Sequence, residues 1–279
     1  MRVGIIGDAN RTVAWEKHLR PLSAVTEVVI APALADAGEV EACLLIDDSK
    51  ENLARLSEAI RLGVHTYLVS RLPTERKELE SIYHYSQEAD VHVQFSHWPS
   101  IAPATEWMRK QLPKPQTLQV IREQSQIHYT ENRPWFTHNW IDEFALITRW
   151  MDKPTHRIEG HQITTDGVSL GIQLFLRYDS GATASLYFMT AASENRHKRV
   201  VSDGRMLLEL DVTEQRVRKI VVNASEELVT ESRKFDASRA AEQSAVHFFK
   251  AIRLRQPTLF SPYDAMRTAI GIEKVKQLF

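Results

Sequence analysis

Hydrophobic positions in residues 1–112 alternate between short, continuous apolar runs and amphipathic stretches. The runs predict strands buried on both faces, and the 3.6-residue repeats between them predict helices. The predicted strands are Val3–Ile6, Glu27–Ile30, Ala42–Ile46, Thr66–Val69 and Val91–Phe95. The predicted helices are Thr12–Leu22, a helix capped by Asp48 and Ser49 that ends at Gly63, Thr74–Ala89 and Pro99–Leu112. This order is typical of a doubly wound parallel sheet.

From Thr117 the pattern changes to alternation with period two, which predicts a mostly antiparallel sheet. Its predicted strands are Thr117–Gln124, Ile158–Thr165, Gly171–Tyr178, Thr183–Met189, Met206–Asp211 and Arg216–Val222. Asp179-Ser180-Gly181 and Asp203-Gly204 are typical of hairpin turns. One helix, about residues 139–150, interrupts the strands, and two helices close the chain at about 238–254 and 262–278.

Pro113 and Pro115 break the pattern where it changes, so we place a domain boundary there. Residues 1–114 are predicted to form a Rossmann-type dinucleotide-binding-like domain. Residues 115–279 are predicted to form an antiparallel-sheet domain, for substrate binding or oligomerisation, that is covered by helices. The two C-terminal helices either stay with that sheet or pack back on the first domain. The fold class is therefore α/β followed by α+β.

Composition narrows the possible partners. The chain has 279 residues, with 35 basic and 36 acidic side chains and no lysine- or arginine-rich run, so we expect no nucleic-acid partner. No apolar run is as long as a membrane span and no leader pattern is visible, so we expect a cytoplasmic protein. The lone Cys43 lies in an apolar strand, and the spacings of His84, His92 and His97 match no zinc template. We therefore predict no metal site.

The turn after the first strand carries the first cofactor signal. Gly7 occupies the first position of the G-x-G-x-x-G pattern, but Ala9 and Thr12 stand in the other two glycine positions. Asn10, Arg11 and Thr12 could still donate hydrogen bonds to an anion at a helix N-terminus, whereas Asp8 adds a negative charge there. We predict a cofactor-binding turn made of Gly7, Ala9, Asn10, Arg11 and Thr12.

Further motifs, in their order along the chain, resemble the Gfo/Idh/MocA family of oxidoreductases over nearly the whole sequence. They are Gly63-Val64-His65-Thr66-Tyr67-Leu68-Val69, Trp150-Met151-Asp152-Lys153-Pro154, Gly181-Ala182-Thr183-Ala184-Ser185-Leu186, Ala245-Val246-His247-Phe248-Phe249-Lys250-Ala251-Ile252, Gln256-Pro257 and Ser261-Pro262-Tyr263-Asp264-Ala265. The resemblance implies an enzyme that uses NAD or NADP on a sugar, a cyclitol or a related small hydroxy or carbonyl compound. It also implies a homodimer or homotetramer formed through the open face of the second sheet.

The departures from the family fall on chemical groups. The second strand ends Ile30-Ala31-Pro32, without the usual ribose-binding acid, and residues 31–41 are too few for the helix that the family has there. Asp47-Asp48-Ser49 replaces a Thr-Pro pair near the nicotinamide, and Ser70-Arg71 stands where the family has its catalytic Glu-Lys-Pro. We predict that Asp48 and Ser70 line the cofactor site. Arg71 could orient a carbonyl or carboxylate but is a poor proton donor.

The inserted helix lacks the family's histidine, and Asp142 or Glu143 occupies its place. His138 precedes Asp142 by four residues, so the two could share a helix face and form an acid/base pair. We predict His138, Asp142 and Arg71 as catalytic residues and Glu143 as a substrate contact. The alternative is that His138 and Asn139 cap the helix while Asp142 and Glu143 favour its first turn electrostatically.

Two further groups are candidates for substrate binding. His97 and Trp98 follow the fifth strand at the carboxyl edge of the first sheet, where α/β folds bind ligands. Trp135, near His138, could form an aromatic platform for a sugar ring. Packing in the core is the alternative for both groups. The charged run Glu194–Arg199 is predicted to be a solvated turn.

Two functions follow from these patterns. The first is an NAD(P)-dependent oxidoreductase acting on a sugar, cyclitol or related small molecule with remodelled motifs. The second is a non-catalytic metabolite-binding or regulatory scaffold derived from the same family, which binds no cofactor. Because fold alone does not decide function, the altered motifs leave both open, and the resemblance favours the first.

Overall fold

The computed structural model describes residues 1–7, 9–125 and 134–279, and it describes the side chains of 1–7, 10–125 and 139–279. The chain forms two compact units. The first comprises residues 1–101 and 238–269, and the second comprises residues 102–237 and 270–279. The domain division at residues 114 and 115 stays a prediction.

The first unit is built on a five-stranded parallel sheet in the order β2-β1-β3-β4-β5. Its strands are β1 (Arg2–Gly7), β2 (Glu27–Ala31), β3 (Ala42–Ile46), β4 (His65–Val69) and β5 (Val93–Phe95). Its helices are α1 (Ala9–Leu19), α2 (Asn52–Arg61), α3 (Arg76–Glu88) and α4 (Trp98–Ile101). Helices α5 (Pro103–Gln111) and α6 (Pro134–Met151) follow in the chain, and the last two are α7 (Ala240–Leu254) and α8 (Pro262–Lys276). The doubly wound sheet predicted from the apolar runs is confirmed.

The link between β2 and β3 contains only a short 3-10 helix, Leu34–Ala37. The prediction that residues 31–41 are too few for the usual helix is confirmed. The ends of β1 and β2 are therefore covered by a shorter segment than a full helix.

Helix α7 packs against the first sheet and closes one side of its core. Alternate residues of β1, β3 and β4 point to that side and meet Phe248 and Phe249 of α7. Burying a phenylalanine side chain contributes about 1.5–3 kcal/mol, so α7 is a substantial part of this core. The hydroxyl groups of Tyr67 and Ser244 lie 3.0 Å apart, and the Gln94 amide donates to the Ser244 carbonyl at 3.3 Å. These polar contacts fix α7 in one register over the sheet.

The second unit is built on an eight-stranded sheet in the order β13-β12-β11-β10-β6-β9-β8-β7. Its strands are β6 (Thr117–Ser125), β7 (Thr155–Thr165), β8 (Val168–Tyr178), β9 (Thr183–Met189), β10 (Ala191–Ser202), β11 (Met206–Asp211), β12 (Arg216–Val222) and β13 (Leu228–Lys234). All neighbouring pairs are antiparallel except β6 and β9. The mostly antiparallel sheet is therefore confirmed, and so are its hairpin turns, where Gly181 and Gly204 have φ of +80° and +88°.

Strand β10 corrects one expectation from the sequence. Residues 194–199 were predicted to be a solvated turn, but they lie within β10, between β6 and β11. The predicted turn is wrong, since these residues form a strand. Glu194, Asn195 and Arg196 are exposed as expected, whereas Arg199 has only 1% of its side chain exposed and pairs with Glu143 inside the unit. The run of charges therefore indicated solvent exposure correctly for residues 194–196 but not for Arg199.

Helix α6 lies against β6 and β9 in the second unit. It begins at Pro134, earlier than predicted, so Asp142 and Glu143 fall in its third turn. The alternative in which these acids belong to the first helical turn is therefore wrong. Glycine at position 271 lets α8 approach closely, because a Cβ there would lie 2.7 Å from the Phe144 ring.

We expect Gly7→Ala to destabilise the first unit strongly. A Cβ at this position would lie 2.2 Å from the Ile46 carbonyl oxygen, and the backbone has φ of +137°. Backbone strain of about 1–3 kcal/mol and overpacking of about 1–3 kcal/mol would add. Urea unfolding measures the loss. Gly63→Ala is the matched control, since Gly63 has φ of +72° and a Cβ there would meet no atom within 4 Å, so only strain remains. Equal losses in the free energy of unfolding of the two variants would contradict the close approach of Gly7 to the Ile46 carbonyl.

Candidate functional site

The turn after β1 brings the phosphate-binding candidates to the carboxyl edge of the first sheet. Strand β1 pairs with β3 so that Gly7 lies opposite Ile46, and only glycine fits this approach. Helix α1 begins at Ala9, which points its N-terminus to the same edge. Asn10 and Arg11 are exposed, whereas Thr12 is completely buried. The side chain of Ala9 and all of Asp8 lie outside the described residues.

An ion pair occupies this edge. The Arg11 guanidinium donates to the Asp48 carboxylate at 2.6 Å. The other oxygen of Asp48 accepts a hydrogen bond from the Arg71 backbone N–H at 3.0 Å. Ser70 directs its hydroxyl to the Arg71 carbonyl at 2.7 Å. Four of the residues predicted from the sequence therefore lie together here, and Asp48 connects the helix turn to the segment after β4.

A small cavity opens beside the same ends of β1, β2 and β3. It has a volume of about 160 Å³ and is lined mainly by apolar side chains, with Arg55 as its charged group. Arg55 donates to the buried Asp47 carboxylate at 3.0 Å. The short 3-10 helix forms part of the wall through Leu34. The cavity therefore combines a mainly apolar lining with one cation at its edge.

The second unit contains a buried ion pair between α6 and β10. Both carboxylate oxygens of Glu143 accept from Arg199, at 2.9 Å from Nε and 2.7 Å from the terminal nitrogen. Each of the two side chains is 1% exposed. The remaining terminal nitrogen of Arg199 donates to the Thr105 hydroxyl on α5 at 2.7 Å. This bidentate ion pair holds α6 against the sheet.

His197 completes the ion pair on its more open side. Its Nε2 lies 3.0 Å from Glu143 Oε1, and 18% of its side chain is exposed. Burial alone would raise the pKa of Glu143, but Arg199 and His197 hold that pKa well below its usual range. Burial lowers the pKa of His197, despite the opposing attraction of Glu143. At neutral pH the group therefore contains an ionised glutamate, an ionised arginine and a neutral histidine.

Asp142 lies beside this ion pair and has an unusual acidity. Burial raises the pKa of its carboxyl from 3.8 to about 7, and the negative charge of Glu143 acts in the same direction. The positive charges of Arg122 and Arg199 oppose the shift. Asp142 as a whole residue is half-buried. A carboxyl that titrates near pH 7 can both take up and release a proton under ordinary conditions.

Arg122 is the second arginine on this face of the sheet, opposite His197 in the pairing of β6 and β10. It is half-buried and donates to the Asn139 carbonyl at 3.2 Å and to the Asn139 side-chain oxygen at 3.0 Å. The Asn139 amide in turn donates to Gln124 at 3.4 Å. A neutral amide therefore orients the Arg122 guanidinium, in contrast to Arg199, which a carboxylate neutralises.

The remaining predicted residues have four different outcomes. His97 is completely buried, with Nδ1 2.7 Å from the Ser100 hydroxyl and its ring 4.3 Å from that of Phe260. Trp98 is 47% exposed, so it remains available to a ligand. The side chains of Trp135 and His138 lie outside the described residues. Glu143, predicted to contact substrate, is fully occupied by internal partners.

Sequence reasoning missed Arg122, His197 and Arg199. A signal for them was present, because Leu118, Val120 and Arg122 alternate along one face of β6. An arginine at an inward position of a strand needs an anionic or polar partner, and the acids of α6 are the nearest candidates in the pattern. The charged run in β10 hid the same alternation.

Neither a metal-binding cluster nor a membrane-spanning helix is present among the described residues. No group of three or more histidine, cysteine, aspartate or glutamate side chains there could hold a metal ion. In the described part of the chain, no helix combines the length and apolar character needed to cross a membrane.

No family model matches the sequence, and no curated protein matches it. Solved structures match it closely in shape. UDP-N-acetylglucosamine 3-dehydrogenase from Acidithiobacillus ferrooxidans is 14% identical with a TM-score of 0.85, covering 100% of this chain and 97% of that chain. A dehydrogenase from Chromobacterium violaceum is 15% identical with a TM-score of 0.81, covering 99% and 94%. A dehydrogenase from Clostridium difficile is 10% identical with a TM-score of 0.79, covering 100% and 99%.

We expect Asp142→Asn to change the pH dependence of stability. A raised pKa in the folded state makes the folded protein bind a proton that the unfolded chain has released, so the wild-type carboxyl costs stability as pH rises from about 4 to about 7. The stability of the variant relative to wild type should rise through that window and become constant above it. Urea unfolding at pH 5, 6, 7 and 8 measures the difference. Asp166→Asn, in an exposed turn of the same unit, should show no such trend. A constant difference for Asp142→Asn would rule out the raised pKa.

Proposed function

We propose that the protein is an NAD(P)-dependent oxidoreductase, because its fold is that of Gfo/Idh/MocA-type dehydrogenases. Its substrate is a sugar, a cyclitol or a related small hydroxy or carbonyl compound. The observation that carries this proposal is the half-buried Asp142, whose pKa of about 7 suits a group that exchanges a proton with an alcohol. The match in fold extends over nearly the whole chain, which supports a complete dehydrogenase scaffold.

Asp142 acts as the general base in the oxidising direction. Its ionised carboxylate accepts the hydroxyl proton of the substrate, and the protonated acid returns that proton when a carbonyl is reduced. A nicotinamide, when bound, would supply the hydride acceptor or donor. Glu143 is not free to take this role, because Arg199 and His197 occupy its oxygens. Arg71 is unsuited to it, since a guanidinium stays protonated at neutral pH.

Two groups of described residues fit two parts of a dinucleotide, its diphosphate and its adenine ring. Gly7 and the exposed Asn10 and Arg11 at the start of α1 would hold a diphosphate, because backbone N–H groups and a cation point to that edge. The 160 Å³ cavity, with its apolar wall and Arg55, would hold an adenine ring. The end of β2 has no carboxylate to bind ribose hydroxyls. Asp48 must then share Arg11 with the diphosphate.

We expect NADH or NADPH to stabilise the protein against thermal unfolding, since a ligand that binds only the native state at 100 times its Kd adds about 2.7 kcal/mol. Arg11→Gln should weaken nucleotide binding about tenfold, because it removes a charged donor, and Asp48→Asn should strengthen it, because it removes a competing anion. Arg20→Gln, at the other end of α1, is the control. Absence of a thermal shift with millimolar NAD⁺, NADH, NADP⁺ and NADPH would refute the cofactor assignment.

We expect Asp142→Asn to lower kcat by about 10²–10⁴-fold once a substrate is identified, because the amide cannot accept the proton. In the oxidising direction, kcat/KM of the wild type should fall as pH drops below about 7, and the variant should lose this dependence. Steady-state kinetics measure both the fall in kcat and the pH dependence. Asp166→Asn, which removes one negative charge elsewhere in the unit, is the control for loss of charge alone. Unchanged turnover in Asp142→Asn would show that another group moves the proton.

A further inference from the structure

The two arginines beside Asp142 differ in their partners: Arg199 pairs with a carboxylate, whereas the hydrogen bonds of Arg122 among the described residues go to the neutral Asn139. Arg199 and Glu143 neutralise each other, with two hydrogen bonds between them. Burial lowers the pKa of His197, so the imidazole is neutral at pH 7. Asp142 adds a negative charge only in its ionised form. When Asp142 carries its proton, which is the state that returns a proton to a carbonyl, the positive charge of Arg122 has no equivalent negative charge among these groups.

The guanidinium of Arg122 is also oriented in advance. In the described part of the chain, its hydrogen bonds go to the backbone and side chain of Asn139, at 3.2 Å and 3.0 Å. These bonds use one N–H from each terminal nitrogen, and a guanidinium has five N–H groups. Its position on β6, in the middle of the eight-stranded sheet, gives it a rigid base. Half-burial strengthens its attraction to an anion relative to a fully solvated side chain.

From this arrangement we infer that Arg122 binds a carboxylate of the substrate, which is therefore a hydroxy acid such as a sugar acid. The planar guanidinium matches a carboxylate through two parallel hydrogen bonds, and an uncharged sugar offers no equivalent partner. The hydroxyl that reacts lies on the same molecule, near Asp142. The oxidation of such a hydroxy acid rests on the proposed function. The binding of its carboxylate by Arg122 does not depend on that function.

Binding of three acids and their neutral counterparts tests the inference. The probes are D-galacturonate with D-galactose, D-gluconate with D-glucitol, and D-glycerate with glycerol, titrated calorimetrically into the full chain at constant ionic strength, with and without NADH or NADPH. At least one acid should bind more than tenfold tighter than its neutral partner. Arg122→Gln should weaken that acid by about tenfold to a hundredfold, and Arg122→Lys should weaken it less.

Arg177→Gln is the matched control, because Arg177 lies on β8 of the same sheet, is exposed and belongs to the opposite face. It should bind the acids as the wild type does, and thermal unfolding checks that each variant is folded. The inference is overturned if no acid is preferred, if Arg177→Gln weakens binding as much as Arg122→Gln, or if sulfate binds as tightly as the acids.

Turnover separates this inference from the proposed function. If an acid binds through Arg122 but neither NAD⁺ nor NADP⁺ is reduced with it, the proposed function fails and the carboxylate site stands. If the wild type oxidises neutral polyols and Arg122→Gln oxidises them equally well, the proposed function stands and the carboxylate site fails.

Discussion

The buried ion pair between Glu143 and Arg199 determines the arrangement of the second unit. Removing either charge from water is costly, so each is tolerable only with the other held in good geometry. This requirement fixes α6 above β10 and brings Thr105 of α5 to the same point. The neighbouring groups are affected by it as well. Burial raises the pKa of Asp142 and the charge of Glu143 adds to that shift, while an oxygen of Glu143 holds His197.

Most of the fold could be predicted from the sequence, because it depends on local patterns that are repeated many times. Continuous apolar runs identified all five strands of the first sheet, and turn residues identified the hairpins of the second. Strand β10 was missed because its charges interrupt the alternation, and β13 was missed because its residues are exposed on both faces. In both strands the pairing partner, rather than the segment's own hydrophobicity, stabilises the extended conformation.

The candidate site was less predictable, since it depends on contacts between residues that are far apart in the chain. The sequence identified Asp142 and Asp48 as unusual, but it gave no means of finding their partners. Arg199 is 56 residues from Glu143, and Arg11 is 37 residues from Asp48. At the edge of the first sheet, Asp48, which was predicted to line the cofactor site, pairs with Arg11, the residue expected to attract an anion. A sequence motif specifies residue types at set spacings. It therefore does not reveal an ion pair between residues that only the fold brings together.

The composition of the two units has a consequence for the order of folding. The first unit begins with β1, yet its core includes Phe248 and Phe249 of α7, which the ribosome adds after the entire second sheet. During synthesis the part of this side that α7 covers must therefore remain exposed while more than a hundred residues are added, although Trp15 and Leu19 of α1 already pack beside it. The apolar side that later receives α7 is exposed for this period, which makes it the surface where a chaperone would bind or where newly made chains would aggregate.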